Sequence, residues 1–144
     1  MLSAAGVLLL GGGAGAYWMT TRDAGNPAAA AEKAAAKKAA APKGVLAFEP
    51  FVVNLTDGGG ARFLRVTVRL LVAAEEAEKL SKDEVAMART RSAILELLAH
   101  QSSDHLVTAE GKAELKKEIL EHADKVLAPA EVDDVLFSDF LVQF

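Results

Sequence analysis

Residues Leu2 to Met19 (LSAAGVLLLGGGAGAYWM) make an 18-residue run without one charged side chain, ended abruptly by Arg22 and Asp23. A run of this kind cannot be spread over the surface of a small domain in water, so it sets the layout of everything after it. At about 1.5 Å rise per residue a helix of that length is roughly 27 Å long, which crosses a hydrocarbon core without much tilt. Residues 1–21 therefore read as a transmembrane anchor in contact with the lipid bilayer. Leu2, Val7, Leu8, Leu9 and Leu10 form its apolar body, and Tyr17 and Trp18 fall at an interface where amphipathic rings prefer to lie. Gly11 and Gly15 form a small-xxx-small pair that lets two such helices approach. The rival reading is a cleaved signal peptide, since Ala14-Gly15-Ala16 resembles a small-residue cleavage site. A signal peptide, however, opens on a positive segment, and none stands before Leu2. Orientation by charge alone puts the lysine-bearing side in the cytoplasm. Basic residues upstream of Met1 would reconcile that rule with a domain on the outer side.

Residues 22–44 are almost all alanine and lysine, with Pro27 and Pro42 near the ends of the stretch. It lacks an apolar stripe to dock on anything, so it reads as a tether, either a semi-rigid helix or disordered. Its lysines could touch anionic headgroups, although a solvated spacer explains them as well. Between residues 22 and 43 the chain carries +3 of a formal net charge of −4, so the other residues carry −7. An acidic folded part gives no support for nucleic-acid binding, which needs a clustered basic surface. The chain has no cysteine, so disulfides and thiolate chemistry are excluded.

The folded domain is expected over residues 45–144, room for one core and not two. Phe51, Val53 and Leu55 alternate with polar or outward neighbours. After Asp57-Gly58-Gly59-Gly60, Leu64, Val66, Val68, Leu70 and Val72 resume the alternation, as in the two strands of a hairpin. The other side of the second strand shows Phe63, Arg65, Thr67 and Arg69, a face that is wet or open to a partner. A phosphate-cradling loop would need a helix right after the glycines, and the pattern there is that of a strand. One helix is expected from about Glu75 to His100, with Leu80, Met87, Ile94 and Leu98 on its stripe. Arg91 falls inside that stripe, where its stem packs on the core and its head pairs with a carboxylate or meets a partner. Thr108 reads as the N-cap of a second helix to about Leu127, with Leu115, Ile119, His122 and Val126 as its stripe and Pro129 as its stop. An extended stretch, Val132 to Phe144, with an imperfect alternation that implies a bulge, closes the chain. The expected class is α+β: a small, mostly antiparallel sheet with two helices packed on one face, preceded by one transmembrane helix.

Candidate chemistry is sparse, and no cofactor is implied. His100, His105 and His122 lack the spacing that aims two imidazoles at one metal ion. Ser102-Ser103-Asp104-His105 contains the residue types of a hydrolytic triad, but consecutive residues cannot form the spatial relay, so the run reads as a polar helix junction. His122 on an apolar stripe reads as a core histidine. Asp133 and Asp134, neighbours on a strand, point to opposite faces and read as solubilising charges. Asn54-Leu55-Thr56 matches a glycosylation sequon but lies within a strand pattern. Nothing here points to an enzyme.

Six short motifs in order then give a resemblance. They are Pro50-Phe51-Val52-Val53-Asn54-Leu55, Arg62-Phe63-Leu64-Arg65-Val66, Arg91-Ser92-Ala93-Ile94-Leu95, and Leu106-Val107-Thr108-Ala109-Glu110-Gly111-Lys112. Leu115-Lys116-Lys117-Glu118-Ile119 and Val135-Leu136-Phe137-Ser138-Asp139-Phe140 complete the series. With one membrane helix and a low-complexity tether before them, they resemble the FliL family of flagellar basal-body-associated proteins. Leu136 stands where that family often has tyrosine. The resemblance implies a single-pass protein of the bacterial inner membrane with its C-terminal domain in the periplasm at the flagellar basal body. It further implies association with the motor's stator proteins, homo-oligomeric rings around them, and support of rotation, swimming or swarming. The domain would be similar to stomatin-like scaffolds, so a membrane scaffold without a flagellar role is the alternative, and a secreted periplasmic binding domain a more distant one. Phe63, Arg65, Arg69 and Arg91 are the candidates for a partner or ring interface.

Overall fold

The computed structural model describes residues 27–57 and 62–144. The chain divides into two units, Met1–Ala40 and Ala41–Phe144. Of the first, the described part is one helix, α1 (Pro27–Ala40). Of the two states open to the Ala/Lys tether it takes the helical one. Pro27 opens the helix where a missing N–H costs nothing, and alanine and lysine are strong helix formers. Among the described residues no helix is long and apolar enough to cross a membrane. The charge-free run, with Leu2, Val7, Leu8, Leu9, Leu10, Tyr17 and Trp18, lies outside the described residues.

The second unit runs β1 (Lys43–Ala47), β2 (Phe51–Asn54), β3 (Phe63–Ala73), α2 (Ala74–Lys82), α3 (Glu84–Ala99), α4 (Ser103–Leu106), α5 (Ala109–Leu127) and β4 (Val132–Gln143). Every pairing in the four-stranded sheet is antiparallel, and β3 is its spine. One edge of β3 is shared between β1, opposite Arg69 to Ala73, and β2, opposite Phe63 to Val66. Its other edge is lined throughout by β4, from Gln143 opposite Phe63 to Val132 opposite Val72. The hairpin of β2 and β3 forms as its alternation requires. The imperfect pattern of the last strand resolves into two register shifts, at Thr67/Val68 and Leu71/Val72.

The class is α+β, with corrections to the expected element count. β1 is an additional strand: its first residues, Lys43-Gly44, continue the composition of the tether, so the alternation begins too late to show a strand. Gly44 is needed there because a Cβ at this position would stand 2.4 Å from the Ala77 Cβ of α2. The expected helix over 75–100 is two helices. Asp83 ends α2 and caps α3, its carboxylate accepting from the Val85 and Ala86 backbone N–H groups at 3.1 and 3.0 Å. Leu80, Met87 and Ile94 are seven apart, so the apolar stripe runs through the break and conceals it. α4 is a further short helix in the polar junction after α3.

Leu64, Val66, Val68, Leu70 and Val72 turn one face of β3 into the core, all fully buried, with Ile94 and Leu98 of α3 and Leu115 and Ile119 of α5 in the same apolar cluster. Each such side chain contributes about 1.5–3 kcal/mol relative to its exposed state. On α5 the inward row is Gly111, Leu115, Ile119, Ala123 and Leu127, a row of i+4 steps. His122 is one position off that row and exposed, so it is not a core histidine. Thr108 caps α5 by accepting from the Gly111 N–H at 2.9 Å, and the helix ends two residues before Pro129. Asp133 and Asp134 do more than solubilise: the first pairs with Lys43 at 2.8 Å and the second with Lys116 at 2.9 Å, tying β4 to β1 and to α5.

Candidate functional site

The domain's helices pack on one side of the sheet, and among its own described residues nothing is laid over the other side. Period-two alternation sends Phe63, Arg65, Thr67 and Arg69 of β3 outward, as the sequence requires. Register then decides their neighbours. Arg65 lies between Val52 of β2 and Leu141 of β4, and Arg69 between Ala47 of β1 and Leu136 of β4. Ten large apolar side chains are exposed among the described residues. Five of them, Val45, Val52, Phe63, Leu136 and Leu141, belong to this one face, which makes it a patch and not scattered exposure. Val52 is 64% and Leu141 49% exposed, on either side of Arg65.

Arg65 and Arg69 make no ion pair or hydrogen bond among the described residues. Four residues apart on a strand, their Cα atoms are separated by roughly 13 Å. In a domain carrying −7 overall, this sheet face presents two unpaired arginines set in apolar surface, with the exposed Asp139 opposite Thr67 between them. Such an arrangement suits a partner that offers carboxylates spaced along an apolar contact.

Arg91 is not part of that face. It stands on α3, half-buried on the helical side of the sheet, with its guanidinium 4.5 Å from the centre of the Phe51 ring and Nη1 donating to the Glu49 carbonyl at 3.0 Å. The expected carboxylate partner is replaced by an aromatic face and a backbone oxygen, which hold α3 to the connection between β1 and β2.

A cluster that the sequence reading passed over closes the hairpin end. The Asp57 carboxylate accepts the Ser103 backbone N–H, and Arg62 Nη1 donates to Ser103 Oγ at 2.7 Å and approaches Asp57 at 3.4 Å. Thr56 donates to the Gln101 carbonyl from both its backbone N–H and its hydroxyl. Hydrogen bonds from Ser103 above all, with the Arg62 guanidinium, hold the Asp57 carboxyl below its ordinary value against the opposing pull of burial. The polar run Ser102 to His105 is thus a structural junction: Ser103 is fully buried, and Ser102 caps α4.

The helical side carries a groove of about 430 Å³ between α3 and α5, with Ala93 and Leu97 in its wall and Glu96, Glu118, His100 and His122 around it. Gln101 Nε2 donates to Glu118 at 3.2 Å, and the Glu96 carboxylate makes no ion pair among the described residues. Among the described residues no group of three His, Asp or Glu side chains is placed to hold a metal ion.

Two comparisons bear on what this domain is. The family model described as flagellar basal body-associated protein FliL matches residues 45–143, which is the sheet from Val45 onward, the four helices after it and the closing strand. The flagellar protein FliL of Aquifex aeolicus (strain VF5) is similar as well, 32% identical over 95 residues that cover 65% of this chain and 57% of that protein. The chain thus spans a little over half the length of this curated relative. From its alternating strands to its closing strand the matched region coincides with the folded domain, and the chain belongs to the FliL family of flagellar basal body-associated proteins.

Proposed function

We propose that this chain is a non-enzymatic accessory protein of the flagellar motor that associates with the stator and supports rotation during swimming or swarming. Residues 1–21 anchor it in the inner membrane, residues 22–44 act as the tether, and residues 45–144 stand in the periplasm as the domain that meets its partners. The observation that carries this reading is the bare sheet face, where Arg65 and Arg69 stand unpaired among exposed apolar side chains in a domain of a flagellar basal-body family. A helical tether such as α1 keeps the domain near a partner in the same membrane and raises its effective concentration there. Ring formation around the stator would use the same kind of surface, since a ring needs two complementary patches on each copy.

The test is a strain lacking this gene, scored for swimming in viscous medium and for swarming on agar. Restoration by the full chain but not by a copy lacking Leu2 to Met19 is the expected result. Normal motility in both assays without the gene overturns the motor role and leaves the membrane-scaffold alternative.

A further inference from the structure

α1 is built almost wholly from alanine and lysine, and its helical state decides where those lysines stand. Lys33 and Lys37 are four residues apart, so they share one face of the helix, both exposed and without an ion pair among the described residues. Glu32, the only acid of α1, adjoins Lys33 in sequence and therefore points to a different side. Pro27 apart, α1 has no apolar side chain larger than alanine. A protein interface is built on large, desolvated anchors, and this helix offers none. A layer of phosphate headgroups asks only for positive charge within reach. We infer that the Lys33 and Lys37 face of α1 lies on anionic phospholipid headgroups, so that the tether rests along the bilayer surface instead of standing away from it.

Charge and chain order select this occupant. Residues 22–43 carry +3 and the other residues −7, so the anionic surface that attracts the tether repels the folded domain and confines the contact to the helix. Lys33 follows the charge-free run of Leu2 to Met19 by 14 positions. Pro27 opens α1, and proline disfavours helical backbone in the residue before it, so the chain can turn where α1 begins. An upright α1 would carry Lys37 roughly 15 Å along the axis from Pro27. That is beyond the screening length, about 8 Å at physiological salt. Laid flat, the helix brings both lysines within that length, and each lysine near an anionic surface favours the bound position by about fivefold. Without an apolar stripe α1 stays at headgroup level and does not sink toward the acyl chains. This inference rests on the proposed membrane anchor and adds how the tether meets the same bilayer: anionic lipid shortens its reach, and salt lengthens it.

The chain has no cysteine, so one introduced thiol carries a fluorophore without background. Ala30 shares the face of Lys33 and Lys37, and Ala35 stands on the opposite one; both are exposed. Full-length Ala30→Cys and Ala35→Cys chains are labelled and reconstituted into phosphatidylcholine vesicles in which phosphatidylglycerol is absent or makes up a third of the lipid. The vesicles carry a nitroxide quencher either on the headgroup or at the end of the acyl chain. With phosphatidylglycerol, the headgroup quencher is expected to dim the label on Ala30→Cys at least about threefold more than the label on Ala35→Cys. The acyl-chain quencher dims neither. The difference disappears without phosphatidylglycerol, when Lys33→Gln and Lys37→Gln are added, and in about 1 M salt, where the screening length is about 3 Å. Equal quenching on the two faces, or a difference that survives removal of the anionic lipid or of the lysines, overturns the lipid contact. An alkaline wash of the same vesicles tests the anchor separately. A chain that withstands the wash and shows no difference between the faces overturns this inference alone, whereas a chain stripped from the vesicles overturns the anchor and this inference with it.

Discussion

Asp57 accepts the backbone N–H of Ser103 from 46 positions earlier in the chain, so the loop end of the β2–β3 hairpin is fastened to the start of α4 by one carboxylate. Ser103 is fully buried, and Arg62 donates to its hydroxyl, which makes the carboxylate, the guanidinium and the serine one unit. The Asp57 side chain is 13% exposed, and its carboxyl titrates below the ordinary value because the hydrogen bonds from Ser103 and the charge of Arg62 outweigh burial. Asp134 is lowered in the same way, first by the hydrogen bond from Lys116 and then by the Val135 N–H.

A carboxyl with a lower pKa in the folded state than in the unfolded one contributes stability above the ordinary carboxylate range. That contribution is lost as pH falls through the ordinary value, about 3.9, toward the lowered one. Urea midpoints followed by circular dichroism are therefore expected to fall from neutral pH to about pH 3. Asp57→Asn is expected to be less stable at neutral pH and to lose less than the parent chain on acidification, so that the two curves converge. Parallel curves would remove Asp57 from the acid sensitivity of the fold.

Gly111 and Gly44 both stand where no Cβ fits, but their neighbours differ. A Cβ at Gly111 would come within 1.9 Å of the His105 carbonyl oxygen, which is backbone, whereas at Gly44 it meets the Ala77 Cβ at 2.4 Å and the Ala74 Cα at 3.1 Å. Gly111→Ala is expected to destabilise the domain by about 3 kcal/mol or more, as overpacking against a fixed carbonyl does. Gly44→Ala should cost about 1–3 kcal/mol and recover part of that when combined with Ala77→Gly. Thermal unfolding of the single variants and the Gly44→Ala, Ala77→Gly double variant checks both; a double variant no more stable than Gly44→Ala alone would contradict the side-chain obstacle at Gly44.

Asp83 interrupts what would otherwise be one helix. Asp83→Ala is expected to cost about 1 kcal/mol, because two N–H groups of α3 lose their acceptor. Chemical denaturation measures this. A gain in helical ellipticity with no loss of stability would show that the two helices prefer to fuse.

The contrast between β3 and the helix break shows what was legible beforehand. On β3 the residue types alternate from Leu64 to Leu70, apolar on one side and Arg65, Thr67 and Arg69 on the other, and the core face and the open face of Phe63, Arg65 and Arg69 could be read directly. Val45, Val52, Leu136 and Leu141 join that face only through register, which depends on the pairing of distant strands and on two bulges in β4. Arg91 misled for a related reason. Periodicity put it on the core side of its helix, which is where it lies, but its partner is Phe51 and a carbonyl at Glu49, 42 positions away. No local pattern carries that information. The Asp57, Arg62 and Ser103 unit was hidden likewise, since its members come from three segments that meet only in the fold.

Arg65 and Arg91 provide the sharpest test of which arginines hold the fold and which meet a partner. Arg91 covers the Phe51 ring and donates to a backbone carbonyl, so Arg91→Ala removes a charge-assisted hydrogen bond and a cation–π contact. Contributions of this kind are about 0.5–2 kcal/mol each when half-buried, so a loss of about 1–3 kcal/mol is expected. Arg65 and Arg69 touch no acceptor among the described residues, and surface changes of this kind stay within about 0.5 kcal/mol. The paired variant Arg65→Glu with Arg69→Glu should therefore unfold at the same denaturant concentration as the parent and accumulate in membranes to the same level. It should nonetheless fail to restore swarming to a strain lacking the gene, while an Arg91→Ala chain that still accumulates should restore it. If the sheet-face variant restores swarming fully, the face is not the working surface. If Arg91→Ala alone abolishes it at normal abundance, the interface extends to the helical side of the domain.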